Sequence, residues 1–169
     1  MTKEQYEAWS APFKRRTAGV RMLSLADKMI TVLVFVSYPL LLLYLASVSN
    51  WKELSGCICI PAASFLLVSL FRRKYSAPRP YEALDIRPLI PKETKGRSFP
   101  SRHVFSVFMI GMTYLAVIGP FGLVIMALGV VMAFIRVIGG VHFPKDVAAG
   151  ALSGIFFGLS YFILFGRLL

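Results

Sequence analysis

The sequence predicts an all-α polytopic membrane bundle of about five transmembrane helices, preceded by an N-terminal interfacial segment. Three observations predict it. Of the 169 residues, 57% are hydrophobic and 16% are charged, against roughly 45–50% and 25% in soluble domains. So large an apolar share, with a mean hydropathy of +0.69, exceeds what a core of this size buries. The apolar residues also fall in runs of about 20, the number needed to cross ~30 Å of hydrocarbon at ~1.5 Å per residue. Finally, the positive charge is gathered rather than spread. The formal net charge is +11, and residues 72–102 alone carry nine Lys or Arg against Glu82, Asp85 and Glu93.

Residues 1–26 read as a segment at the membrane surface. They are polar with scattered aromatics and end in a cationic cluster at Lys14, Arg15, Arg16 and Arg21, the pattern of an interfacial helix. They lack the short apolar stretch and small-residue site of a cleavable signal peptide. Residues 29–48, "MITVLVFVSYPLLLLYLASV", form the first span, with Pro39 as a tolerated kink. Residues 55–71 form a shorter second span, which ends before Arg72, Arg73 and Lys74. It holds Cys57 and Cys59, the only cysteines. Two thiols cannot complete a four-ligand zinc site, and they read as small membrane-buried hydrophobes.

A loop with five prolines (78, 80, 88, 91 and 100) follows, too charged to cross anything. From Val104 to Ile135 there is no charge over 32 positions. One helix of that length would run about 48 Å, so the stretch must fold back on itself. "GPFG" at 119–122 supplies the break, giving spans over about 103–118 and 121–138. A last span over about 145–166 is rich in Gly, Ala and Ser, which lets helices approach closely. There is no internal repeat, and 1–169 reads as one integral-membrane domain.

This parity has a chemical consequence. The second span ends at Arg72, the third begins at His103, the fourth ends at Arg136 and the fifth begins near His142. Antiparallel packing brings all four to one membrane face. A basic loop can serve nucleic acid, an anionic surface or a phosphorylated ligand. The oily context disfavours a nucleic-acid module. Arg72, Arg79, Arg102 and Arg136 are permanent cations with forked donors suited to phosphate oxygens. Both histidines of the chain, His103 and His142, fall in this cluster. A neutral imidazole is a nucleophile and a charged one a proton donor. Asp146 follows His142 by four, with Pro144 suited to a first helical turn between them. A carboxylate there holds the proton of one ring nitrogen and leaves the other free to attack. Gly139 and Gly140 let the chain turn between Arg136 and His142. Arg136 in an apolar stretch is costly, so a functional role is the default; pairing with Asp146 is the structural alternative. Lys92, Lys95 and Arg97 read as solvated loop charges or headgroup contacts.

These residues resemble the type 2 phosphatidic acid phosphatases, the membrane branch of the superfamily that also holds vanadium haloperoxidases and glucose-6-phosphatase. The family pattern is Lys, six residues, Arg-Pro; then Pro-Ser-Gly-His; then Ser-Arg, five residues, His, three residues, Asp. Here Arg72 is followed by six residues and Arg79-Pro80; then comes Pro100-Ser101-Arg102-His103; then Arg136, five residues, His142, three residues, Asp146. Three positions depart: Arg72 stands for lysine, Arg102 for glycine and Ile135 for serine. Arg102 adds a phosphate contact or narrows the pocket.

The resemblance implies a membrane lipid phosphatase that hydrolyses a lipid phosphate or diphosphate through a phosphohistidine on His142. Asp146 would orient that histidine, and His103 would protonate the leaving oxygen and then activate water. Arg72, Arg79, Ser101, Arg102 and Arg136 would cradle the phosphate, so that residues 72–102 act as a basic active-site loop. No metal or other cofactor is implied, since arginines supply the charge that Mg²⁺ would give. The expected partners are a membrane lipid phosphate and the bilayer itself, with no nucleic acid. Two alternatives share the sequence: a phosphotransferase passing phosphate to an alcohol, and a non-catalytic anion-binding relative. The expected location is a prokaryotic cell membrane. The positive-inside rule leans the site toward the cytoplasm, although arginines recruited for phosphate are weak topology markers.

Overall fold

The computed structural model describes residues 1–165, and the last residue of the span expected over 145–166 lies outside them. It contains seven helices among these residues: α1 (Lys3–Lys14), α2 (Thr17–Ser47), α3 (Trp51–Tyr75), α4 (Pro80–Ala83), α5 (Arg102–Val117), α6 (Phe121–Ile138) and α7 (Pro144–Leu164). Four of them, α2, α3, α6 and α7, are long and apolar enough to cross a membrane, and α5 is a shorter apolar helix.

Each boundary has a local cause. Thr2 and Gln5 form a capping box that starts α1. The helix stops at Arg15, and a new one begins at Thr17, so residues 17–26 belong to the first long helix and not to the interfacial segment. Asn50 caps α3 by accepting from the Glu53 backbone N–H. The helix runs past Arg72, Arg73 and Lys74 because cations suit its negative C-terminal end. Ser76 closes it in the left-handed conformation, φ 40°. Gly119, at φ 92°, makes the turn between α5 and α6.

α5 is the axis of the bundle. Its residues from Val104 to Tyr114 are all buried, and it packs most extensively against α6 and α7. A smooth α7 face makes this possible. A Cβ on Gly150 would stand 2.6 Å from the Ser101 carbonyl oxygen, and one on Gly154 would stand 2.8 Å from that of Phe105. Only glycine lets the two backbones lie this close. The outward faces stay apolar: Met29, Leu40, Leu43, Phe134, Leu152 and Phe156 are all exposed. Hydrocarbon satisfies such a surface and water does not, so the chain is an integral membrane protein. The C-terminal ends of α3 and α6 and the N-terminal ends of α5 and α7 meet at one end of the bundle, together with α1 and the 76–101 loop.

Candidate active site

His142 sits on a short loop whose path is fixed from both sides. The α6 helix ends as the Val141 and His142 backbone N–H groups both donate to the Arg136 carbonyl at 3.2 Å. Gly140 turns the chain at φ 74° and lies against the Tyr6 ring of α1. The Gly139 carbonyl accepts from Leu89 and Ile90 of the basic loop. Two residues later Pro144 opens α7, and Asp146 caps it by accepting the Phe143 N–H at 2.9 Å through Oδ2.

The same Oδ2 faces the histidine. His142 Nδ1 lies 3.6 Å from it, too far for a good hydrogen bond. Ser98 fills the gap: its hydroxyl donates to Asp146 Oδ2, and its Oγ lies 3.3 Å from His142 Nδ1. With that proton committed to the carboxylate, the oxygen is left to accept from Nδ1–H. This assigns the tautomer from the network and leaves Nε2 with a free lone pair. Burial pulls the His142 pKa down to about 4, against the opposing pull of Asp146. The ring is therefore neutral at physiological pH, as a nucleophile must be.

In front of His142 is a cavity of 140 Å³. Arg72, Arg79 and Arg136 are deep in its wall, each less than a tenth exposed, and Lys92, Arg97 and Arg102 lie further out. His103 also reaches it, from the first turn of α5. No carboxylate lines it among the described residues. The deep arginines also hold the walls together. Arg79 donates from Nε to the Gly96 carbonyl and from Nη1 to the Val141 carbonyl, both at 3.1 Å. Arg72 clamps the opposite strand of the loop through the carbonyls of Arg97, Ser98 and Pro100. Glu82 closes the loop neck by accepting the backbone N–H groups of Arg79 (2.9 Å) and Gly96 (2.8 Å). Loop and cavity are thus one construction, in which cations aimed at an anion also satisfy backbone oxygens.

The structure brings His142, His103, Arg72, Arg79, Arg102 and Arg136 to this cavity. Asp146 stands behind His142, fully buried. Ser101 is placed differently from the cradle expected of it. Its side chain is fully buried, its hydroxyl has no hydrogen-bond partner, and its backbone N–H binds the Asp146 carbonyl at 2.8 Å. Arg72 lines the cavity while also engaging three loop carbonyls. Lys92 and Arg97 are cavity walls rather than free loop charges. Ser98 was missed, and nothing in its local sequence separates it from other serines.

The partner of Arg136 was also missed. It is Asp27 of α2 and not Asp146: Nη2 donates to Oδ2 at 2.9 Å, and Nε lies 2.7 Å from Oδ1 as an ion-pair contact. An acid two residues before the apolar span at 29–48 was the available signal. The pair holds one edge of the guanidinium toward α2 and leaves Nη1 free of Asp27. Replacing Asp27 by Ala leaves a buried cation unpaired, a change that costs about 3 kcal/mol or more at such sites. A lower unfolding midpoint and a roughly tenfold weaker binding of inorganic phosphate are the expected results. Asp27→Asn, which keeps the shape, should fall between; wild-type values in both variants would show that the pair does not position Arg136.

Comparisons with known proteins complete the description. The model of the PAP2 superfamily matches residues 53–168. Undecaprenyl-diphosphatase BcrC of Bacillus subtilis (strain 168) is 27% identical over 136 residues, 79% of this chain and 70% of that protein. Bacitracin transport permease protein BcrC of Bacillus licheniformis is 35% identical over 89 residues, 52% of this chain and less than half (43%) of that protein. Among solved structures, Aquifex aeolicus LpxE superposes with a TM-score of 0.73 at 24% identity, over 96% of this chain and 94% of LpxE. At that identity the likeness shows a shared fold.

Proposed function

The chain belongs to the PAP2 superfamily, and from that premise we propose that it is a membrane lipid phosphatase working through a phosphohistidine on His142. One observation carries the reading: a neutral, fully buried-side histidine, backed by Ser98 and Asp146, opens onto a cavity walled by arginines and shared with a second histidine.

The steps follow from the placement. The phosphoryl group of a lipid phosphate enters the cavity against Arg79 and Arg136. His142 Nε2 attacks phosphorus; the N–P bond forms as the bond to the lipid oxygen breaks, and that oxygen takes the electron pair. His103, in the charged form that the bound anionic phosphoryl group favours, gives it a proton and is left neutral. Positive charge on Nδ1–H of the phosphorylated ring is then stabilised through Ser98 by Asp146. In the second half His103 takes a proton from water, whose oxygen attacks phosphorus, and the N–P bond breaks to return His142 and release phosphate. Charge spreads over the three equatorial oxygens of the transferring group, and fixed cations lower the barrier because they need no reorganisation. The relative named for undecaprenyl diphosphate supports a polyprenyl or similar lipid as the carrier of that phosphate.

The test is direct. Purified protein in detergent, given a ³²P-labelled lipid phosphate, is expected to release inorganic phosphate. Rapid quenching in alkali is expected to retain label on the protein in an acid-labile form. Label that survives acid would place the intermediate on another residue, and no release from mono- or diphosphorylated lipids would remove the phosphatase reading.

A further inference from the structure

The cavity holds more positive charge than one phosphoryl group requires, and the surplus is spatially sorted. The deep tier, Arg72, Arg79 and Arg136, is buried around His142 and already engaged by carbonyls or by Asp27. The outer tier is different. Arg97 and Arg102 are exposed at the mouth and Lys92 is half-buried. None of the three forms an ion pair with a carboxylate among the described residues. Burial first, and then Arg79, Arg136 and Arg102, hold the Lys92 ammonium below its ordinary pKa, against a weaker opposing pull from Asp27. Like charges gathered without counterions are costly unless an anion arrives to offset them.

Arg102 is the fixed member of this tier. It is the first residue of α5, immediately before His103, and its guanidinium lies over the Phe65 ring at 5.3 Å. Stacking on a ring leaves the guanidinium edges free to donate. Phe65 also borders an apolar cavity of 300 Å³ between α2, α3 and α5, shared with Phe35, Tyr38, Leu42 and Phe105. Phe35 is itself 6.5 Å, ring to ring, from His103. From His142 outward the order is therefore deep cations, His103, Arg102, then hydrocarbon.

We propose that Arg102, with Lys92 and Arg97, forms a second anion subsite that takes the inner phosphate of a lipid diphosphate. This rests on the phosphatase reading and names its substrate class. The terminal phosphate sits against His142 and the deep arginines, the inner phosphate under Arg102, and the tail in the apolar cavity beyond Phe65. His142 Nε2 bonds to the terminal phosphorus while the bond from that phosphorus to the bridging oxygen breaks. The electron pair goes to the bridging oxygen, and the lipid leaves as its monophosphate. Water then cleaves the N–P bond and releases inorganic phosphate. Arg102 offsets the charge that grows on the departing phosphate, so it acts in the transition state as well as in binding.

Two substrates with the same tail isolate the effect: farnesyl diphosphate and farnesyl monophosphate, assayed by phosphate release in detergent. For Arg102→Gln, the ratio of kcat/KM on diphosphate to that on monophosphate is expected to fall about tenfold or more, as loss of a charge-assisted contact implies. Arg102→Lys is expected to recover part of the ratio. An unchanged ratio in Arg102→Gln, including an equal loss on both substrates, overturns the subsite, because Arg102 would then serve the terminal phosphate or the fold. A wild-type protein that hydrolyses neither substrate overturns the phosphatase reading itself, while one that hydrolyses both with no preference sinks only the subsite.

Discussion

Replacing His142 by Ala is expected to reduce phosphate release by about four orders of magnitude or more, with no labelled protein left after an alkaline quench. The size follows from what is removed. The step that forms the N–P bond disappears, and losing a covalent nucleophile leaves only the residual rate that charge and binding supply. The variant should still fold, because the architecture does not hang on that side chain. His142 contributes its ring to a loop already held by Arg79 at Val141 and by the Arg136 carbonyl. Measured melting in detergent should move little by comparison with the rate. Inorganic phosphate should still bind, since Arg72, Arg79 and Arg136 remain. A variant that keeps even a hundredth of the wild-type rate would show that water attacks the lipid phosphate directly.

The spans were legible because their signal is one-dimensional. An uncharged stretch too long for one crossing, broken by "GPFG", placed α6 at Phe121–Ile138 without reference to any partner. Ends set by polar residues were harder. Residues 17–26 look interfacial by composition, yet they hold no proline, Ala, Leu, Met and Arg make up most of them, and the helix of the first span simply continues through them. The convergence of Arg72, His103, Arg136 and His142 on one face also followed from sequence, since counting crossings needs no distances. What did not follow was which group holds which. Asp27 and Arg136 are 109 positions apart, and periodicity says nothing about such a pair. Arg72 was visible as a charge, but its clamp on three carbonyls depends on where the loop folds back. Ser98 lies 44 residues from His142 and contacts it only because α3, the loop and α7 meet.

Ser98 gives the second large expectation its shape. Asp146→Asn is expected to lower kcat by about three to four orders of magnitude, comparable to the same change in a serine-protease triad. The carboxylate Oδ2 accepts two donors, the Phe143 N–H and the Ser98 hydroxyl. An amide at this position must offer either its oxygen or its NH₂ to them. If the NH₂ faces Ser98, the hydroxyl turns to donate toward His142, and the ring shifts its proton to Nε2, where the attacking lone pair should be. If the oxygen faces Ser98, the tautomer survives but the negative charge that stabilises the phosphorylated ring is gone. Both outcomes slow the bond-forming step and leave phosphate binding largely intact, so kcat should fall far more than KM rises. Ser98→Ala separates the two contributions. It removes the relay and keeps the charge 3.6 Å from Nδ1, close enough for the ring to swing into direct contact. Its loss should be one to two orders of magnitude, and the double variant should be no slower than Asp146→Asn alone, because residues that act as one unit are not additive. Fully additive losses would mean that Ser98 and Asp146 serve His142 independently, and the relay would be wrong.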